Sequence, residues 1–122
     1  MTRVLKTGNG WRIGWNPQEA AEFRGLVGTD DWAVELTEVE LQDFCRLSVQ
    51  LAETMSQLSS ELMDEEKITC EAESNLIWLE VSGYAQCYSL RFILLTGRCA
   101  EGCWHEGAVT GLLQAAQTLQ VF

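Results

Sequence analysis

The stretch from Glu38 to Met63 reads as one long amphipathic helix, and that limits what its flanks can be. Thr37-Glu38-Val39-Glu40 has the form of a capping box, in which Thr37 accepts from the first turn and Glu40 reaches back. Leu41, Phe44, Cys45, Ser48, Leu51, Ala52, Met55, Leu58 and Leu62 then recur at steps of three and four, which gives one mostly apolar stripe. No Pro or Gly interrupts the span. Its far end is acidic. Glu61, Asp64, Glu65 and Glu66 stand where the helix dipole disfavours negative charge by about 0.3–1 kcal/mol each. A solvated turn accounts for them; the functional alternative is a docking patch for a basic partner or a divalent cation.

Both flanks alternate with period two and therefore read as strands. Trp11, Ile13 and Trp15 share one face, and Asn16-Pro17 ends that strand. Phe23 to Val27 is a weaker strand closed by a turn at Gly28-Thr29-Asp30-Asp31, after which Trp32, Val34 and Leu36 point inward. Beyond the helix, Ile68, Cys70 and Ala72 share a face, as do Ile77, Leu79 and Val81. Ser82-Gly83 is expected to turn, and Gln86 to Leu95 then places Tyr88, Leu90, Phe92 and Leu94 inward. Thr96-Gly97 leads into a segment from Arg98 to Trp104, and Val109, Leu112, Leu113, Ala116 and Leu119 mark a closing helix. With Arg3 to Thr7 as the first strand, the order is four strands, helix, four strands, helix. Short meander turns imply antiparallel sheets whose apolar faces need covers, and the two helices are the available covers. The fold class is α+β: one domain over residues 1–122, with internal halves at 1–63 and 64–122.

Composition removes several functions. The net charge of −10 opposes the basic footprint of a nucleic-acid binder, because neutralising phosphates supplies most non-specific affinity. No stretch approaches the roughly 18–20 apolar residues that span a bilayer, and Met1 to Lys6 is followed by no apolar signal core. A soluble, cytoplasmic protein without membrane contact is expected. The five cysteines (45, 70, 87, 99 and 103) lack disulfide-framework spacing, and three fall at apolar positions, so reduced thiols are expected.

Several segments together resemble a small cyanobacterial family of uncharacterised proteins. They are Gly10-Trp11-Arg12, Trp32 to Thr37, Glu61 to Glu66, Leu90 to Leu94 and, most specifically, Gly97-Arg98-Cys99-Ala100-Glu101-Gly102-Cys103-Trp104. That family is similar in fold to the Whirly-type single-stranded-DNA-binding transcriptional regulators, built from repeated four-strand-plus-helix units. The resemblance implies a fold and a cyanobacterial cytoplasm, and no activity.

Three constellations carry functional alternatives. With Ile77, Leu79 and Val81 inward, Trp78 points outward, with Arg91 on the next strand and Arg12 on an early one. An exposed Trp beside Arg is the apparatus of single-strand binding, worth about 1–3 kcal/mol per stacked base. Glu35, Glu71 and Glu80 share that surface and repel phosphate. Cys99, Cys103 and His105 fall on one face if the last strand alternates throughout, and thiolate with imidazole suits zinc. Cys-x3-Cys-x-His has no second ligand pair at a standard spacing, so no metal and no cofactor is expected. Arg98, Glu101 and Trp104 form a ligand or structural cluster. The structural reading has Arg98 stacked on Trp104, or paired with a carboxylate from the acidic helix end.

His105 is the only histidine and has no acid–base partner in a recognisable arrangement, so no catalysis is expected. The sequence points to a non-enzymatic interaction or regulatory protein that binds another macromolecule, protein before nucleic acid. A small-molecule or metal pocket around residues 98–105 is the third reading. Fold analogy allows a homodimer.

Overall fold

The computed structural model describes residues 3–17, 22–58 and 66–119. Strands β1 (Val4–Gly8), β2 (Trp11–Trp15), β3 (Gly25–Gly28) and β4 (Ala33–Leu36) form one antiparallel meander and run into helix α1 (Glu38–Leu58). Strands β5 (Ile68–Glu73), β6 (Ile77–Tyr84), β7 (Cys87–Leu94) and β8 (Glu101–Trp104) form a second meander, followed by helix α2 (Glu106–Thr118). The α+β class and the repeated four-strand-plus-helix order are both as the hydrophobic periodicity requires.

Helix α1 starts where its capping box dictates. Glu40 N donates to Thr37 Oγ1 at 3.2 Å, and Thr37 N donates to Glu40 Oε1 at 2.9 Å. Two orphan donors of the first turn are thereby satisfied. The assigned helix ends at Leu58, and Glu61 to Glu65 of the acidic segment lie outside the described residues. Glu66 is exposed. Each helix packs across both halves: α1 lies on β5 and β6 with contacts to β3 and β4, and α2 lies on β7 and on β1 and β2. The buried side chains of both sheets and both helices consequently form one cluster.

Its centre is aromatic. Trp104 is 1% exposed, with ring centroids 5.2 Å from Trp32, 5.5 Å from Phe92 and 5.7 Å from Phe44. Its Nε1 donates to Gly28 O at 2.8 Å, which ties β8 of one sheet to β3 of the other. Gly102 allows this approach, since a Cβ there would stand 2.4 Å from the Trp32 ring.

Two local expectations are corrected. Ser82-Gly83 is not a turn: β6 continues to Tyr84, which pairs with Cys87, so the reversal falls at Ala85-Gln86. Gly83 is required instead for its φ of +145°, a conformation that side-chain-bearing residues avoid. The last strand also starts later than expected. Cys99 N donates to Thr96 O at 3.3 Å in a turn where Cys99 takes φ +55°, so alternation begins only at Glu101.

All five cysteines are free thiols, but only Cys45 and Cys70 are withdrawn from solvent, one fewer than expected. Burial pushes the Cys45 thiol from its ordinary 9.0 up to about 12. The unfolded chain releases this proton from pH 9 and the folded chain does not, so the unfolded state binds fewer protons in that window. Stability therefore falls as pH rises from 9 towards about 12, by about 1.4 kcal/mol per pH unit from this group. Urea unfolding at pH 8 and pH ~10.5 should show wild type losing about 2 kcal/mol more than Cys45→Ala. Equal losses would refute the assignment.

Candidate functional site

The outward face of the second sheet is built by alternation. Glu71 and Glu73 from β5, Trp78 and Glu80 from β6, Arg91 from β7 and Glu101 from β8 all point away from the core, opposite the buried Ile77, Leu79, Val81, Leu90 and Phe92. Antiparallel register sets Trp78 against Glu73 and Ile93, and Arg91 against Glu80 and Cys103. The long side chains then meet on the diagonal. Trp78 Nε1 donates to Glu71 Oε2 at 3.1 Å, the Arg91 guanidinium lies 5.6 Å from the Trp78 ring centroid, and Arg91 pairs with Glu101 at 3.6 Å. The last pair is solvent-exposed and contributes at most about 1 kcal/mol. This row crosses all four strands. It brings together two of the residues singled out for nucleic-acid or partner binding, Trp78 and Arg91, and adds Glu101.

Arg12 does not belong to it. It lies on β2 of the first sheet, where Nε donates to Thr29 O at 2.6 Å and one terminal nitrogen to Trp32 O at 3.0 Å. Its fork holds the β3–β4 turn closed, a structural use of the guanidinium. Strand alternation assigns a residue to a face; it does not say which of two sheets that face belongs to.

Arg98 also has a structural use, with partners other than those expected. It sits in the turn before β8 and donates to Glu35 O at 2.5 Å and to the Glu40 carboxylate, while its guanidinium stacks 4.3 Å above the Phe23 ring. Trp104 is buried in the core instead of lying beside it, and the acidic end of α1 is replaced by Glu40 at the start. Glu40 is 3% exposed; besides Arg98, it accepts from Thr37 N and from Thr96 Oγ1 at 3.3 Å. A signal for this was present. Glu40 falls beside Leu41 and one turn before Phe44 on the apolar stripe, where a carboxylate needs a cation.

The candidate sulfur–imidazole set does not gather into one site. Cys99 lies in the turn, its Sγ directed to Gly97 O at 3.7 Å, while Cys103 points outward from β8. His105 caps α2, with Nδ1 accepting from Gly107 N at 3.1 Å. Among the described residues, no three His, Cys, Asp or Glu side chains gather closely enough to hold a metal ion. Cys103 and His105 do share a cleft of about 280 Å³, whose other side is the β3–β4 turn with Asp30, Asp31 and Trp32. The sequence reading missed those two aspartates because the pairing of halves, which brings the turn to β8, is long-range.

The halves 1–63 and 64–122 carry −5 each, but charge divides unevenly between the segment of the first sheet and the rest of the chain. Residues 1–37 hold 4 basic and 5 acidic side chains, whereas residues 38–122 hold 4 basic and 13 acidic. Of the net −10, −9 thus falls after residue 37, and the outer face of the second sheet carries four glutamates (71, 73, 80 and 101) against Arg91. Among the described residues, no helix is long and apolar enough to cross a membrane.

Comparison with known proteins places the chain among others of this architecture. It superimposes with a TM-score of 0.88 on the crystal structure of a protein of unknown function from Prochlorococcus sp. NATL2A, described as of the DUF155 family. The two are 28% identical, over 95% of this chain and 98% of that one. No curated protein matches significantly. Residues 6–119 match a domain family of unknown function, and the chain accordingly belongs to DUF1818.

Proposed function

We propose that this is a non-enzymatic interaction protein whose outer β5–β8 face receives a basic surface of a partner protein. One observation carries the reading: the face has four glutamates and one arginine around a half-exposed Trp78. An aromatic anchor within a charged rim is how protein interfaces concentrate binding energy, and the sign of the rim selects a cationic partner. The non-enzymatic part rests on how the singled-out polar groups are used. Arg12, Arg98 and Trp104 direct their donors to the protein's own backbone and to Glu40.

The alternative is single-strand binding, supported by Arg91 over Trp78 and by the repeated four-strand-plus-helix order, the feature on which the resemblance to Whirly-type regulators rests. Glu71 and Glu101 occupy both members of that pair, and their carboxylates repel phosphate. The acidic rim therefore ranks protein first.

Affinity capture from a cyanobacterial lysate, with quantification of retained proteins, tests the proposal. Wild type should retain a basic protein that ~0.5 M salt elutes, and both Trp78→Ala and the triple variant E71K/E80K/E101K should lose it. Identical retained sets for wild type and the triple variant would reject this face.

A further inference from the structure

The outer face of the first sheet has the opposite character. Leu5, Gly14, Leu26 and Glu35 lie side by side across β1 to β4 in direct register. Leu5 is 47% exposed, one of the few large apolar side chains so placed. Gly14 leaves bare backbone between the two leucines, where a Cβ would stand 2.9 Å from Leu5 Cδ1 and 3.0 Å from Val4 O. Together with Phe23, Arg24 and Arg3 this row lines a cleft of about 270 Å³. One wall is fixed in place, because the Phe23 ring stacks on Arg98, which is itself anchored to Glu35 O and Glu40. Trp15 also lines the cleft, and its Nε1 is buried without a hydrogen-bond partner.

The charges decide the occupant. Lys6, Arg12, Arg46, Arg91 and Arg98 each have a hydrogen-bonding or ionic partner. Among the described residues the side chains of Arg3, Arg24 and Lys67 have none, and Arg3 and Arg24 both line this one cleft. Unpaired guanidinium groups beside an apolar floor suit an anion with an apolar body. Glu35 in the same lining disfavours multiply charged phosphates and leaves a monoanion. The volume is at the small end of ligand sites, so the apolar part is a ring system or a short chain.

We propose that the outer face of β1–β4 is a binding site for a small organic monoanion, a carboxylate with an apolar body. The guanidinium groups of Arg3 and Arg24 hold the charged end, and Leu5, Leu26 and Phe23 take up the apolar part. This site is separate from the partner face of the second sheet, and either assignment can fail without the other.

Titration with 8-anilinonaphthalene-1-sulfonate, an apolar monoanion whose fluorescence rises on desolvation, tests it. Wild type should give saturable binding at one site, displaced by octanoate and not by octylammonium. Arg24→Glu should weaken binding at least tenfold. Arg91→Glu changes net charge by the same amount on the other sheet and should alter Kd less than twofold. The absence of saturable binding, or equal weakening by the two variants, would overturn the assignment. Both side chains are exposed, so neither substitution endangers the fold.

Discussion

Trp104→Ala should lower the free energy of unfolding by about 3–5 kcal/mol, the largest loss expected from any single substitution in this chain. The side chain is 1% exposed and stands within 6 Å, centroid to centroid, of Trp32, Phe44 and Phe92. Truncation opens a void that those rings cannot fill without leaving their rotamers. It also leaves Gly28 O without its donor. Trp104→Phe separates the two effects. Phe keeps most of the packing and lacks the N–H, so it should cost about 1–3 kcal/mol. Urea unfolding with unchanged slope reads both values. A small domain has about 5–15 kcal/mol in total, so the Ala variant should lose a large share of its stability. A loss below about 1 kcal/mol for Ala would show that the ring is not the joint between the two sheets.

Arg98→Ala should be the second largest, at about 2–4 kcal/mol. Removing one partner of a buried ion pair strands the other, which costs about 3–5 kcal/mol when both are fully buried. The Arg98 side chain is 32% exposed, so water offsets part of that loss; the Glu40 side chain, at 4%, has no such relief. Among the described residues, Thr37 N and Thr96 Oγ1 would remain as its donors, both neutral. Arg98→Lys should recover less than half of the loss. A single ammonium cannot reach Glu35 O and Glu40 together while covering the Phe23 ring. A double-mutant cycle with Glu40→Gln should give a coupling of about 1–3 kcal/mol. Additive losses would mean that the two residues act separately.

Arg98 and Glu40 also show where sequence reading stops. The start of α1 was legible because its capping box is a matter of four consecutive residues. The inward and outward faces of β6 and β7 were legible because alternation is strict over eight residues each. Arg98 lies 58 positions from Glu40 and 63 from Glu35, and no local pattern encodes which carboxylate or carbonyl it will meet. The structural kind of use was legible; the partner was not. The same limit separated Arg12 from Trp78, since both point outward but from different sheets. Two failures were local. Gly83 serves a positive φ inside a strand and not a turn, and the left-handed Cys99 displaces the start of β8. The cleft on the first sheet was invisible for another reason. Leu5, Gly14 and Leu26 become neighbours only through strand register, and Gly14 contributes by having no side chain at all.

The partition of charge between the two outer faces is central to this account. Fluorescence anisotropy of a labelled mixed-sequence single strand, titrated at ~50 mM salt with wild type and with E71K/E80K/E101K, tests it most directly. Wild type should not bind. The triple variant should, with an affinity that falls steeply by ~200 mM, because reversal turns four glutamates around Trp78 and Arg91 into one. Wild-type binding that weakens with salt and is lost in Trp78→Ala would contradict the account and make the second sheet a nucleic-acid surface.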